Sequence, residues 1–212
     1  MSDAKTVFED DRIVVRDIWE ELPRNDNWPY NHRRSGRYRL IRGRRVNRVY
    51  WHHTGGGILR GADGPKATAR YCVRDPERGG RGWPGMPYHL FIPYQPETTE
   101  DGQLVVYQCQ PLDMWTWHTG GKDARGRSRN RYGVGVVCQG RFWSRHRLEE
   151  EPLPGQTGWP SAQQMAASEA LWQGYLKPTL GLTDAQLSGH FEAGKPTCPG
   201  EQLEAWVRHV RG

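Results

Sequence analysis

Two widely separated segments of the sequence carry side chains that could bind one metal ion together. Residues 49–55 read Val-Tyr-Trp-His-His-Thr-Gly and supply His52 and His53. Far downstream, His190 and Cys198 lie eight residues apart. Imidazole and thiolate groups form a ligand set suited to zinc, and three protein ligands leave a fourth position open for water. These residue types therefore predict the zinc site of a hydrolase.

The strand predicted at residues 46–54 determines how the two adjacent histidines can act. Because side chains alternate between the faces of a strand, His52 and His53 point in opposite directions. His53 shares its face with Val49 and Trp51. Only one histidine can readily bind a given metal, and alternation alone does not select it. A histidine on an apolar face is usually a structural core residue, and we interpret His53 in this way.

The elements that must position these residues alternate between strands and helices. Strands are predicted at residues 88–93, 104–109 and 132–138, and helices at 65–74, 161–177 and from 199 onwards. The first of these strands should place Tyr88 on one side with Leu90 and Ile92, and the last should be central and buried. Pro178 should end the second helix. This order indicates an α/β fold with a single mixed central β-sheet flanked by helices.

The length of 212 residues suits one domain with some additional segments. We assign residues 46–212 to a catalytic domain. Residues 1–45 are polar, with one short strand expected at 13–15, and we interpret them as an N-terminal extension that packs on the main domain. We expect a monomer.

The net charge of +6 comes mostly from arginine, with 25 Arg against 5 Lys, and it favours anionic partners. Eight arginines fall between Arg33 and Arg48. A nucleic-acid patch is one explanation of this run. We favour a solvent-exposed edge or loop, which would also attract the protein to a polyanionic cell wall, and we expect no specific nucleic-acid partner.

No apolar run approaches the ~18 residues that a membrane span needs, so we expect no membrane insertion. The polar N-terminus has no apolar segment of the signal-peptide type, which predicts a cytoplasmic protein until something releases it. The four cysteines are widely spaced and form no disulfide pattern. We expect at least Cys72, Cys109 and Cys138 to be buried, reduced thiols.

Taken in order along the chain, several motifs resemble the zinc-dependent N-acetylmuramoyl-L-alanine amidases. This family includes T7-type phage lysozymes, AmpD-like amidases and animal peptidoglycan recognition proteins. The resemblance runs from about residue 46 to about residue 210, and its motifs lie at residues 50–54, 87–90, 117–120, 133–140 and 190–200.

The resemblance implies a role for each matching residue. It makes His52, His190 and Cys198 the ligands of a catalytic Zn²⁺, and it makes Tyr88 a catalytic residue beside the zinc-bound water. It places His118 in the substrate groove, and we expect Trp117 and Thr54 to bind substrate as well. Family members cleave the amide bond between N-acetylmuramic acid and the L-alanine of the stem peptide, which makes peptidoglycan the expected substrate.

The sequence departs from the family at one position. Many relatives carry a lysine two residues before the cysteine, whereas Pro196 occupies that position here and Lys195 lies three residues before Cys198. A cation near the scissile bond would stabilise the developing oxyanion. We assign Lys195 this catalytic role, with Thr197 or His118 as substitutes if the loop does not bend inward.

Three other functions remain open. The protein could be a peptidoglycan recognition protein that binds without hydrolysis, which only the shifted lysine supports. Cys198 could act as a nucleophile, since it lies at the start of a predicted helix. The arginine run could bind nucleic acid.

If the protein is an amidase, the absence of a signal peptide suits a bacteriolytic phage endolysin that reaches the wall after a holin opens the membrane. It also suits a cytoplasmic recycling enzyme.

Overall fold

The computed structural model describes residues 4–25, 39–40, 45–144 and 158–212, and its main feature is a mixed β-sheet of seven strands. The strands of this sheet and of a separate two-stranded sheet are, in chain order, β1 (Lys5–Glu9), β2 (Ile13–Asp17), β3 (Arg39–Leu40), β4 (Arg48–His53), β5 (Leu90–Ile92), β6 (Leu104–Gln108), β7 (Met114–Trp115), β8 (Gly133–Cys138) and β9 (Leu187–Gly189). The order across the main sheet is β1-β2-β6-β5-β8-β4-β9, and β3 pairs with β7 separately.

Helices cover this sheet. They are α1 (Asp63–Val73), α2 (Arg129–Tyr132), α3 (Ala162–Ala170), α4 (Lys177–Leu180) and α5 (Glu201–Arg211). A π-helical turn, Leu171–Leu176, joins α3 to α4. Short 3-10 turns lie at Trp19–Glu21, Pro76–Arg78, Asp184–Gln186 and His190–Ala193. Helices on a single mixed sheet confirm the predicted α/β fold class.

Strand β4 pairs in parallel with β8 on one side and with β9 on the other. Strand β8 also pairs in parallel with β5, which is antiparallel to β6. Every residue of β8 is buried, which confirms the prediction of a central strand. Because β4, β8 and β9 are parallel, their carboxyl ends lie at the same edge of the sheet, and polar residues that follow them can meet there.

One face of the sheet packs against α3, the π-helical turn and α5 through a large apolar cluster. Val49 and Trp51 of β4 lie in this cluster, and Trp51 makes edge contacts with the rings of Trp172 and Trp206. The indole nitrogen of Trp51 donates a hydrogen bond of 3.2 Å to Ser168 Oγ. This face of β4 is therefore well packed, and its buried polar group has a partner.

The opposite face holds a smaller apolar cluster, in which Phe91 packs with Ala69 of α1. Tyr88 packs against this cluster, whereas Leu90 and Ile92 lie in the larger one. The prediction that Tyr88 shares a face with them is therefore wrong. Strand β5 begins only at Leu90, so the alternation of side chains does not extend back to Tyr88.

The helix predicted to stop at Pro178 continues to Leu180 and ends at Gly181, whose φ of 63° is left-handed. The π-helical turn explains this correction. Its wider hydrogen-bonding pattern gives way to α4 at this point, so Pro178 lies in the first turn of α4, where a missing N–H costs little. At the start of α3, Ser161 and Gln164 form a capping box.

Strands β1 and β2 belong to the main sheet, because β2 pairs in parallel with β6 and β1 pairs with β2. Strand β2 confirms the expectation at residues 13–15. Strand β1 was not predicted, since its sequence Lys-Thr-Val-Phe-Glu is half polar and mostly exposed. The division at residue 45 remains a prediction, and most of the run from Arg33 to Arg48 lies outside the described residues.

All four cysteines are free and buried, which confirms the prediction for Cys72, Cys109 and Cys138. In the part of the chain that the structure describes, no helix is both long and apolar enough to cross a bilayer.

Candidate metal centre and active-site cleft

His52 and His190 come together because β4 and β9 are neighbours. Trp51 is in register with Gly189, so His52, the next-to-last residue of β4, lies beside the point where His190 follows β9. The 3-10 turn that begins at His190 and the loop behind it return the chain to Cys198. The sequence thus places three candidate ligands at the carboxyl edge of the sheet.

These three side chains form a compact cluster, the metal centre, with their donor atoms all within 4.8 Å of one another. His52 Nδ1 lies 3.0 Å from His190 Nδ1 and 4.0 Å from Cys198 Sγ. Tetrahedral zinc with usual bond lengths separates its ligand atoms by about 3.3–3.8 Å. The donor types and their spacing therefore fit zinc.

The surroundings of each candidate ligand favour its metal-binding form. His190 Nε2 donates a hydrogen bond of 3.0 Å to the carbonyl oxygen of Thr119, which leaves the Nδ1 lone pair directed at the cluster. The backbone amide of His53 donates to Cys198 Sγ at 3.4 Å, and a donor at this position stabilises a thiolate. The sulfur is thus held beside His52 without a disulfide.

Burial keeps both histidines neutral. It lowers the pKa of His52 well below 6.5, helped by the nearby His190 and His118. It lowers the pKa of His190 to about 4, and the positive charges of Lys195 and Arg129 act in the same direction against the hydrogen bond to Thr119. A neutral imidazole is the form that binds a metal, so no proton competes at neutral pH.

His53 lies on the other face of β4, as alternation predicts. Its Nδ1 accepts a hydrogen bond of 3.1 Å from the backbone amide of Phe142, and its ring contacts the edge of the Phe142 ring. His53 therefore ties β4 to the segment after β8. The interpretation of His53 as a structural residue agrees with this position.

A cleft of about 790 Å³ opens next to the metal centre. It is lined by candidate ligands and by residues predicted to act on the substrate, namely His190, Cys198, Tyr88, Lys195, Thr197 and Thr54. Its remaining wall comes from α1, the loop of Gly55, Gly56 and Gly57, and other residues that include His53, Arg81 and Arg141. A concave site of this size can hold an extended polymer segment against the metal centre.

Tyr88 lines this cleft with its ring centroid 5.1 Å from that of His52. Burial raises the pKa of Tyr88 above its usual value of 10, with a smaller contribution from Cys198. The phenol therefore stays protonated at neutral pH and can donate a hydrogen bond into the cleft. It is not suited to act as a base.

Lys195 and Thr54 line the cleft in different ways. Lys195 is exposed, and its backbone amide donates to the carbonyl of His190 at 3.2 Å, so it lies on the metal side of the opening. Thr54 Oγ1 accepts from the amide of Gly140 at 2.9 Å and donates to the carbonyl of Gly140 at 3.2 Å. Thr54 thus joins the ends of β4 and β8 while its side chain forms part of the wall.

His118 and Trp117 are not among the described residues that line the cleft. His118 is only 4% exposed and lies behind His52, with its Nδ1 at 3.1 Å from His52 Nε2. Its position differs from the expected one, because the chain after β7 carries its ring against Gly135 of β8 rather than into the opening. Trp117 is partly buried nearby.

Sequence reasoning did not identify several residues of the site. Arg81 and Arg141 line the cleft and add positive charge to it, but arginine is so abundant in this chain that type alone does not distinguish them. The acceptor for His190 is the carbonyl of Thr119, and a main-chain group leaves no signal in the sequence.

Solved structures of three proteins share this fold. The N-acetylmuramoyl-L-alanine amidase LysC from Clostridium intestinale URNW has a TM-score of 0.54 at 20% identity, covering 92% of this chain and 97% of that chain. The Ph2119 endolysin from Thermus scotoductus MAT2119 bacteriophage Ph2119 has a TM-score of 0.50 at 21% identity, with 93% and 99% covered. The complex of peptidoglycan recognition proteins LCa and LCx bound to tracheal cytotoxin gives 0.58 at 20%, with 92% and 94% covered.

The sequence itself identifies the family. The family model described as N-acetylmuramoyl-L-alanine amidase matches residues 42–201. This chain belongs to that family, which relates its function to peptidoglycan. No curated protein matches the sequence.

Proposed function

We propose that the protein is a zinc-dependent amidase that hydrolyses the bond between N-acetylmuramic acid and L-alanine in peptidoglycan. The observation that carries the proposal is the metal centre, where His52, His190 and Cys198 converge beside an open cleft. Three protein ligands and access from the cleft describe a catalytic zinc site rather than a closed structural one.

Zinc bound here would lower the pKa of a water towards ~7 and polarise the scissile carbonyl. The protein's own groups serve the same reaction. Tyr88 is a protonated phenol in the cleft wall and donates a hydrogen bond to the carbonyl oxygen as negative charge develops on it. Lys195 adds a positive charge from the rim, and Arg81 and Arg141 attract the anionic substrate.

The test is digestion of purified sacculi followed by mass spectrometry of the products. We expect stem peptides with a free L-alanine amino terminus and glycan chains with unsubstituted lactyl groups. Cleavage at another bond would refute the amidase assignment. Binding to sacculi without any released amine would identify a recognition protein instead.

Metal dependence needs its own experiment, because Cys198 could also serve as a nucleophile. Activity should disappear with a chelator and return with Zn²⁺. Activity that survives chelation and is lost on thiol alkylation would favour the cysteine mechanism. Cys198 Sγ lies 4.0 Å from His52 Nδ1 in a metal-binding arrangement, and this supports the role of a ligand.

We also infer that the enzyme is of the phage endolysin type and acts as a monomer on the wall after a holin opens the membrane. The similarity to the Ph2119 endolysin supports this inference. Expression in a bacterial host should leave cells intact until a holin or a permeabilising agent is supplied. Lysis without either would contradict it.

A further inference from the structure

The hydrogen bonds of His118 define which of its nitrogens carries the proton. Its Nε2 lies 3.1 Å from the carbonyl oxygen of Gly133, and a carbonyl can only accept. Nε2 of His118 therefore donates. In a neutral imidazole the other nitrogen is then an acceptor, and His118 Nδ1 faces His52 Nε2 at 3.1 Å.

The same reasoning extends to His52. Because His118 Nδ1 accepts, His52 Nε2 carries the proton, and the lone pair of His52 lies on Nδ1. This is the atom at 3.0 Å from His190 Nδ1, whose own lone pair is set by the bond from Nε2 to Thr119. Two lone pairs facing each other at this distance repel, and a cation between them removes the repulsion.

The reverse arrangement is costly. If His118 Nδ1 donated to His52, a neutral His118 would direct an Nε2 lone pair at the carbonyl of Gly133. An imidazolium could donate from both nitrogens, but His118 is 4% exposed and its ring contacts the rings of His52 and His89. A buried charge among neutral imidazoles is strongly disfavoured.

Strand β8 provides the space that His118 occupies. A Cβ added to Gly135 would lie 2.6 Å from His118 Cγ, so any side chain at this position would displace the ring. Two residues earlier on the same face, Gly133 supplies the accepting carbonyl. The Gly-Val-Gly start of β8 therefore both accommodates and orients His118.

We propose that His118 is a positioning residue that holds His52 with its Nδ1 lone pair directed at the metal. Its contribution is to metal affinity through His52, and it does not contact the substrate. The proposal rests on the proposed function in one respect, which is that the metal centre binds Zn²⁺.

The direct test is nitrogen-15 NMR of the histidine side chains in the zinc-free protein. We expect His52 and His118 both to carry the proton on Nε2. A proton on Nδ1 of His52 in the wild-type protein would overturn the proposal. This measurement needs no variant and does not depend on amidase activity.

The second test measures zinc affinity by competition with a chelator. His118→Phe keeps a buried ring but removes the acceptor, and we expect affinity to fall by about 10–100-fold. His118→Asn keeps an oxygen near the position of Nδ1 and should recover part of the loss. His89→Phe is the matched control, because His89 is a buried imidazole beside His118 whose ring nitrogens bond to main-chain groups, the carbonyl of Met114 and the amide of Gly135.

The outcomes separate the two proposals. A wild-type protein without stoichiometric zinc would defeat the proposed function. A wild-type protein that binds zinc, combined with unchanged affinity in His118→Phe or an equal loss in His89→Phe, would defeat only the positioning role. If His118→Phe does not fold, the nitrogen-15 measurement on the wild-type protein decides alone, because it shows directly which nitrogen of His52 carries the proton.

Discussion

The two faces of β4 carry neighbouring histidines with different surroundings. On one face, His53 accepts a hydrogen bond from the Phe142 amide and lies next to the large apolar cluster. On the other, His52 is fully buried among His118, His190 and Tyr88. His53 connects β4 to the segment after β8, whereas His52 faces the two other candidate metal ligands.

The difference shows that residue type and burial alone do not mark a ligand. Both histidines are buried, and both have a partner for Nδ1. For His53 that partner is a backbone N–H, which occupies the lone pair. For His52 the groups facing Nδ1 are a second imidazole nitrogen and a sulfur, which are the donor types that zinc binds. The group that faces the Nδ1 lone pair therefore distinguishes the candidate metal ligand from the structural histidine.

The largest effect on zinc binding and activity should come from removing one of the candidate metal ligands. His52→Ala or Cys198→Ser should abolish stoichiometric zinc binding and activity together, because two remaining ligands bind zinc weakly. Metal content by mass spectrometry and release of amines from sacculi measure both effects.

His53→Asn is the control for this pair, since its side-chain oxygen can still accept from the Phe142 amide. It should keep zinc and activity even if its stability falls. Retention of zinc and activity in His52→Ala would reject the ligand assignment, and loss of zinc in His53→Asn would place the metal differently.

A smaller effect should follow from Tyr88→Phe, which removes only the hydroxyl on the His52 side of the sheet. We expect zinc to stay bound and turnover to slow by about 10²-fold, because the lost group stabilises the developing oxyanion. A wild-type rate would limit Tyr88 to packing against its neighbours. Tyr71→Phe, on the exposed side of α1, offers a matched loss of a hydroxyl at the cleft wall.

Lys195→Gln tests whether the shifted lysine acts at all. We expect a loss of about 10-fold in kcat with unchanged zinc content, since an exposed cation stabilises the same charge through partly screened electrostatics. Lys122→Gln, exposed and outside the described lining of the cleft, should show no change. Equal rates for the two variants would assign the role of the cation to another residue.

The smallest expected effect is that of a substitution in α3, which packs on the apolar face of the sheet opposite His52. Ser161→Ala removes the hydroxyl that accepts from the amide of Gln164 at the start of α3, and it should lower the free energy of unfolding by about 1 kcal/mol. Zinc affinity should not change, because α3 packs on the face opposite His52. Thermal denaturation of the zinc-loaded and zinc-free forms would reveal any link between the two faces.

The sequence predicts the parts of this site that depend on residue type and period. Alternation assigns His52 and His53 to opposite faces, and the motif at 190–200 brings His190 and Cys198 together. Alternation failed at Tyr88, because the strand starts only at Leu90. Strand β9 has three residues, too few to show a period, although it is the element that brings His190 next to His52.

The position of His118 could not be derived from the sequence. It depends on the carbonyl of Gly133 and on the space above Gly135, which exist only once β8 is placed beside β4. A glycine in a strand indicates close approach of some other group, but it does not say which one.

Strand β2 limits how far the protein can be truncated from its N-terminus. Ile13, Val14 and Val15 are buried, and β2 supplies the parallel partner of β6. Removing the first seventeen residues to obtain a shorter enzyme would leave the amides and carbonyls of β6 without their partner strand. An exposed strand of that kind pairs readily with other chains, so the shortened protein should aggregate even though no residue near the metal centre has changed.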